Sequence, residues 1–239
     1  MKTFKILLHI LLVIPLCLFI FISPKSEQEK IVKFWCKKLL SIFEINVEIK
    51  GEELLLYNQK KYLIVSNHIS WLDIIVIQSI KPSIFVAKSD VASWPLFGWV
   101  AYMTGTIFIK REKVSDIKKA LRKMKRRLNK RSVCIFPEGT STNGRYILPF
   151  KSNLFQSSID SDRAILPICL RYEENNAYTD KTAFIGDMSL IDSIMKIKNE
   201  KEIHAVVYVL HPIKARGNRK ELASYTHEMI QKNLSHNLS

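Results

Sequence analysis

The chain has 239 residues, 47 % of them hydrophobic and 25 % charged, which excludes a disordered polymer and suffices for one sizeable buried core. Thirty-seven Lys and Arg against 22 Asp and Glu leave a net charge of +15. Such a field favours polyanionic partners: nucleic acid, an anionic membrane surface or an acidic carrier. The four cysteines, Cys17, Cys36, Cys134 and Cys169, show no CxxC spacing and no nearby His, which argues against a zinc site and for reduced, apolar filler.

The chain opens with MKTFK and then an apolar run from Ile6 to Ile22, interrupted only by His9 and Pro15. At 1.5 Å per residue this run covers about 26 Å, slightly less than a hydrocarbon core of about 30 Å. Ser23-Pro24-Lys25 offers no small-x-small cleavage site, so the segment is expected to be retained. From Lys30, helical spacing puts Ile31, Phe34, Trp35, Leu39 and Phe43 on one face among Lys30, Lys33, Lys37 and Lys38. That pattern suits a helix lying in a headgroup layer; an ordinary core-packing helix is the alternative. Residues 1–45 thus read as membrane-attachment helices and 46–239 as an α/β domain. If Ile6–Ile22 crosses a bilayer, the lysines after it place the rest of the chain in the cytoplasm.

Val47–Tyr57 alternates in part and reads as a strand pair or an edge. Short apolar strands follow at 62–66, 83–88, 106–111, 133–137, 164–172 and 204–211, separated by helical stretches at 71–80, 94–102, 114–130, 153–159 and 219–234. This alternation predicts an α/β fold with a mixed, largely buried sheet flanked by helices. In 114–130 the apolar stripe Val114, Ile117, Leu121, Met124 and Leu128 is surrounded by Lys and Arg. A solvated face is the ordinary reading; an anionic surface or an acidic carrier protein is the other.

Four stretches carry chemistry. In NHISWLD, His68 and Asp73 lie five positions apart, just after an apolar strand. Histidine is suited to take a proton near neutral pH, provided an acceptor fixes its other ring nitrogen. Ser70 or Asp73 would equally serve as a helix N-cap. FPEGT, Phe136–Thr140, runs from a strand into a glycine turn where backbone N–H groups can face an anion. GTIFIKR delivers Lys110 and Arg111 to a strand end, and arginine suits bidentate phosphate binding. Leu166-Pro167-Ile168 is a strand interrupted by proline.

In this order the four stretches resemble the sequence blocks of the HxxxxD glycerolipid acyltransferases, especially the bacterial 1-acyl-sn-glycerol-3-phosphate (lysophosphatidic acid) acyltransferases. The similarity spans about Tyr62 to Tyr172, and the N-terminus looks like the family's membrane-binding helices. The resemblance implies that His68 is the general base, deprotonating the free sn-2 hydroxyl of 1-acyl-sn-glycerol-3-phosphate. That hydroxyl then attacks the thioester of acyl-CoA or acyl-carrier protein, giving phosphatidic acid. Asp73 would orient His68, Lys110 and Arg111 would bind the acceptor phosphate, and Glu138, Gly139 and Thr140 would shape the acceptor site. No metal or other cofactor is implied, the acyl donor being a substrate. The expected partners are membrane lipids, the lysophospholipid and the donor, with no nucleic acid. The expected location is a bacterial inner membrane, with the catalytic domain on its cytoplasmic face.

The chain departs from the family at one place. Many members continue EGT with arginine and serine, where this chain has Ser141-Thr142-Asn143-Gly144, and Asn153 stands where glycine is usual. Lys151 or Arg145 would compensate for the missing cation. Alternatively, EGTST with LPFKSNLF is similar to the branch that acylates lyso-ornithine lipid. Two other classes fit less well. A non-enzymatic basic protein binding membrane or nucleic acid accounts for the charge but has no recognisable nucleic-acid motif. A serine hydrolase would want GxSxG, which the sequence lacks.

Overall fold

The structure, a computed structural model, describes residues 2–56, 61–94, 96–110 and 113–236. The chain begins with two long helices, α1 (Lys2–Ile22) and α2 (Lys25–Phe43), before strand β1 (Ile45–Lys50) and a helical turn α3 (Glu53–Leu56). The body then alternates: β2 (Leu63–Ser66), α4 (Leu72–Ile80), β3 (Ile84–Lys88), α5 (Phe97–Met103), β4 (Ile107–Ile109), α6 (Val114–Leu128) and β5 (Val133–Ile135). It closes with α7 (Gln156–Ser161), β6 (Ile165–Glu174), β7 (Ala177–Tyr178), α8 (Leu190–Asn199), β8 (Ile203–Val209) and α9 (Arg219–His236).

The strands form one mixed sheet in the order β1-β8-β6-β2-β5-β3-β4, with β7 added to the end of β6. Neighbours from β6 to β4 run parallel, β8 runs antiparallel to β6, and β1 runs parallel to β8. The α/β reading of the sequence is therefore correct, as is its mixed sheet. Val47–Tyr57 resolves into one edge strand followed by the α3 turn, not a strand pair. Tyr57 lies outside the described residues.

Alternate residues of each strand feed two cores. Ile64, Cys134, Leu166 and Leu170 face the side covered by α2 and α4, with Ile6 of α1 joining them. Leu63, Val65, Val133, Ile135 and Cys169 face the side covered by α6, α7 and α9. This period of two, with both faces buried, explains why the strands read as short continuous apolar runs. Pro167 is tolerated in a central strand because its ring nitrogen faces a bulge. The bulge lies between the Ile165–Ile213 bridge and the Ile168–Val209 pair, and the Pro167 carbonyl there accepts from Leu210 N at 3.0 Å.

Residues 2–43 are joined to this body. Leu39, Leu40 and Phe43 of α2 are buried in the same core as α4, while Phe34 is exposed. The core-packing alternative thus describes the C-terminal half of α2 better than a headgroup-layer reading does. α1 buries Ile6, Val13, Cys17 and Ile20 and leaves a ridge of Phe4, Leu7, Leu11, Leu18 and Ile22 exposed along its length. Its stretch Lys2–Ile20 is long and apolar enough to cross a membrane, by length and composition.

Five parallel strands place their C-terminal ends together, and β2 lies between β6 and β5 among them. Just beyond β2, the side chain of Asn67 extends the ladder. Its Nδ2 donates to Leu170 O and its Oδ1 accepts from Leu170 N, each at 2.8 Å and fully buried. Asn67→Ala would strand both backbone groups of Leu170 in the core. It is expected to lower folding stability by about 2–4 kcal/mol, measured by urea unfolding, with no change at a surface control such as Lys196→Ala.

Candidate active site

The segment leaving β2 turns sharply back over the start of α4, and the turn is organised by one carboxylate. Asp73 is fully buried. Its Oδ2 accepts from His68 Nδ1 at 2.8 Å, from Ile69 N at 2.7 Å and from Ser70 N at 2.9 Å. Its Oδ1 accepts from Tyr172 Oη at 2.8 Å. Asp73 also lies in the first turn of α4, where the helix dipole favours negative charge. It caps the preceding turn rather than the helix itself. The His-x4-Asp spacing works because residues 69–71 fold around the carboxylate instead of continuing as strand.

His68 is about one-fifth exposed. With Nδ1–H donated to Asp73, the neutral ring keeps Nε2 as an unprotonated acceptor facing outward. The ring lies flat on Phe136, centroids 4.0 Å apart and planes 12° apart, which fixes its tilt. Tyr172 is the matching fixture for Asp73. Burial, and then the charge of Asp73, push its phenol well above the usual range, so it remains a donor.

Glu138 is buried, and both of its oxygens are engaged. Oε1 accepts from His68 N at 2.7 Å and Oε2 from Leu148 N at 2.8 Å. Burial pushes its carboxyl up to about 7, against the two backbone N–H groups, which pull the other way. The resemblance implies a place at the acceptor site for Glu138; in the structure its carboxylate ties two loops together through their backbones. Thr142 N adds a bond to His68 O at 2.9 Å, and Phe184 N one to Ile69 O at 2.9 Å. Gly144 lies where these loops cross. Its φ is +88°, and a Cβ there would meet Ile69 Cδ1 at 2.8 Å.

The other expected residues are distributed as follows. Gly139, with φ +85°, turns the chain after Glu138, and Thr140 is exposed beside it. Lys110 follows β4 at the same sheet end, but three strands from β2, roughly 14 Å by interstrand spacing. Arg111 lies outside the described residues. Ser141, at the family's arginine position, donates to Phe184 O. Two residues further on, Asn143 O accepts from Tyr178 Oη, and Arg145 lies over the Tyr178 ring at 4.8 Å. Arg145 and, further along the loop, Lys151 are exposed cations. Beside Trp71 an apolar cavity of about 160 Å³ opens between α1, α2, α4 and α5, lined in part by Ile74, Phe85, Trp94 and Val100.

The sequence alone missed Asn67, Phe136 and Tyr172 as parts of this arrangement. Asn67 and Phe136 stood inside quoted motifs, and their adjacency to His68 and Glu138 was the available signal. Tyr172 sits 99 positions from Asp73, and only the pairing of β6 with β2 brings them together.

The structure thus holds a histidine against a buried carboxylate at the C-terminal edge of a mixed α/β sheet, three residues before Trp71, which lines the apolar cavity. The family model described as Acyltransferase matches residues 46–171. The chain belongs to the Acyltransferase family and is an O-acyltransferase. It is 34 % identical over 181 residues to the 1-acyl-sn-glycerol-3-phosphate acyltransferase of Neisseria gonorrhoeae, covering 75 % of this chain and 70 % of that one. It is 29 % identical over 206 residues to the lyso-ornithine lipid O-acyltransferase of Pseudomonas aeruginosa, covering 85 % and 78 %. The crystal structure of the 1-acyl-sn-glycerophosphate (LPA) acyltransferase PlsC of Thermotoga maritima has the same fold. It matches with a TM-score of 0.68 at 19 % identity, over 99 % of this chain and 97 % of that one.

Tyr172→Phe keeps the ring and removes one donor from Asp73. It is expected to lower kcat for acyl transfer about tenfold, the size of one hydrogen bond to a charged group, with the near-UV circular dichroism of the folded protein retained. An unchanged kcat would remove Tyr172 from the positioning of the pair.

Proposed function

We propose that the protein transfers an acyl chain from a thioester donor to the free sn-2 hydroxyl of 1-acyl-sn-glycerol-3-phosphate, forming phosphatidic acid. The observation that carries this reading is the 2.8 Å bond between His68 Nδ1 and buried Asp73. It commits the imidazole to the tautomer whose Nε2 can accept a proton from a bound hydroxyl. As that proton moves to Nε2, the alkoxide oxygen forms a bond to the thioester carbonyl carbon. Collapse of the tetrahedral adduct breaks the C–S bond, and the departing thiolate recovers the proton from His68. Asp73 stabilises the imidazolium that exists between the two transfers. Direct attack of this kind needs no acyl-enzyme, because acceptor and donor are held together.

The apolar cavity beside Trp71 is suited to the donor's hydrocarbon chain. The exposed ridge of α1 would rest in one leaflet, with Phe34 nearby, and bring the site to the level of its lipid acceptor. We place this on the cytoplasmic face of a bacterial inner membrane. The acceptor phosphate would be met by Arg145 and Lys151 of the Glu138 loop, together with Lys110 and Arg111. Residues 1–45 would then serve both attachment and core packing.

A second reading has a specific observation in its favour. Ser141 is committed to the Phe184 carbonyl, so the family's arginine position supplies neither a charge nor a free hydroxyl to a phosphate. Several relatives are named for lyso-ornithine lipid, and a zwitterionic head group would make less use of that cation.

The two readings separate in one assay: purified protein in mixed micelles with radiolabelled hexadecanoyl-CoA and either lysophosphatidic acid or lyso-ornithine lipid. The first reading predicts transfer to lysophosphatidic acid, with Arg145→Ala raising its KM about tenfold, in keeping with one charge-assisted contact. Transfer to the ornithine lipid alone would establish the second. Transfer to neither, from hexadecanoyl-CoA or from hexadecanoyl-carrier protein, would contradict both.

A further inference from the structure

A groove of about 610 Å³ lies at the C-terminal end of α6, outside the arrangement around His68. Five cations line it: Lys123, Arg126, Arg127, Lys130 and Arg131. No carboxylate is among the described residues that line it. Lys123, Arg126 and Arg127 share one side of α6 by helical spacing. Lys130 and Arg131 follow in the turn that closes the helix, where both backbone N–H groups donate to Arg127 O at 2.8 Å. Among the described residues, only Arg131 of the five has an ion pair, with Glu29 at 3.3 Å. The helix dipole favours a cation or two in this last turn. The other four are like charges that repel one another, and together they favour an anion in the groove.

Position narrows which anion fits. Ile84 and Ile107, the first residues of β3 and β4, line the groove. These strands run parallel to β2 through β5, so the groove lies at the opposite end of the sheet from His68, which follows the end of β2. The five residues of β3 alone separate the two ends by about 17 Å. An acceptor with its phosphate in the groove would hold its sn-2 hydroxyl, only a few bonds away, out of reach of Nε2. The groove is therefore separate from the reacting acceptor. Its other wall belongs to the N-terminal helices. Gln28 of α2 lines it, and the side chain of Gln28 donates to Ile20 O and Ser23 O, each at 3.0 Å, clasping the end of α1. Ile22, 77 % exposed, ends the apolar ridge of α1 beside this clasp, and Tyr102, 72 % exposed, lines the groove. Thr104 and Thr106 line both the groove and the apolar cavity. Cations thus adjoin apolar surface, as the phosphate of a lipid adjoins its chains.

We propose that this groove is a non-catalytic site for the phosphate of an anionic phospholipid, one from the leaflet that takes up α1. This rests on the placement of the α1 ridge in a leaflet, given above, and deepens it by naming the lipid class. The phosphate accepts from the lysines and from the guanidinium forks of Arg126 and Arg127, which suit it bidentately. The chains lie beside Ile22 and Tyr102. A lipid so held fixes the α1–α2 hinge at the level of the head groups. A free phosphate would meet the same cations but make no use of the apolar rim.

The test compares two variants of equal charge and equal helical spacing. Lys123→Gln/Arg127→Gln/Lys130→Gln removes cations from the groove. Lys118→Gln/Arg122→Gln/Lys125→Gln removes exposed cations of α6 that do not line it. Native mass spectrometry of the full chain, released from uncharged micelles titrated with phosphatidylglycerol and phosphatidylcholine, counts the lipid retained. The wild type is expected to retain one phosphatidylglycerol per chain in preference to phosphatidylcholine. The groove variant should bind it at least about tenfold more weakly, and the matched variant within about twofold of the wild type. Equal weakening in both variants would reduce the effect to net charge and overturn the proposal. Displacement of the lipid by inorganic phosphate or by CoA at the same concentration would assign the groove to a soluble phosphate and overturn it too. In phosphatidylcholine micelles, kcat/KM for transfer from hexadecanoyl-CoA to lysophosphatidic acid should stay within about twofold in the groove variant; a tenfold loss would make the groove part of the reacting acceptor's site. Retention is read without turnover, so it stands or falls independently of acyl transfer. A wild-type protein that sediments with vesicles but retains no phosphatidylglycerol would overturn the groove site and leave the α1 placement standing. One that sediments with no vesicle would refute both.

Discussion

Removing the carboxylate of Asp73 from water costs several kcal/mol unless each lone pair finds a donor. Four donors offset that cost: His68 Nδ1, two backbone N–H groups and the Tyr172 hydroxyl, at 2.7–2.9 Å. The arrangement of the site follows from this requirement. The chain between β2 and α4 must fold back on itself to deliver the N–H groups of Ile69 and Ser70. The same turn swings His68 into place and leaves its Nε2 outward. The first turn of α4 must begin where it does so that its dipole reinforces the site. A second buried carboxylate, Glu138, works in parallel by fixing the His68 backbone to the loop after β5. One carboxylate holds the imidazole and the other holds the backbone beneath it.

Much of this was legible in the sequence, because the interactions concerned are local or motif-borne. The strands at 62–66, 83–88 and 133–137 announce themselves as apolar runs bounded by polar turns. His68 and Asp73 are close in the chain, so their approach needs only a tight turn. The role of Glu138 was less legible. A glutamate in a strand-to-glycine turn reads as a ligand for substrate, and only the three-dimensional crossing of two loops shows both its oxygens taken by backbone amides. Tyr172 and the Leu170 partner of Asn67 depend on β6 lying beside β2, a strand order that no periodicity encodes. The end of α2 was hard to read for a different reason. A lysine-rich amphipathic helix looks the same whether its apolar face meets lipid or protein, and the burial of Leu39 and Phe43 against α4 is a tertiary fact.

The net charge of +15 also has a spatial order that composition conceals. Apolar exposure is prominent on α1 and cationic exposure on α6; their buried residues belong to opposite faces of the sheet, while the cationic C-terminal end of α6 and Arg131 reach Gln28 and Glu29 at the start of α2.

The most direct measurement of the central claim is single-turnover acyl transfer by His68→Ala beside the wild type, with vesicle binding recorded on the same samples. If Nε2 of an Asp73-held imidazole is the base, the rate falls by about a hundred- to ten-thousandfold while the variant stays folded and membrane-bound. A variant that still transfers within about threefold of the wild-type rate would contradict the account, because the buried carboxylate would then be orienting a group that the chemistry does not use.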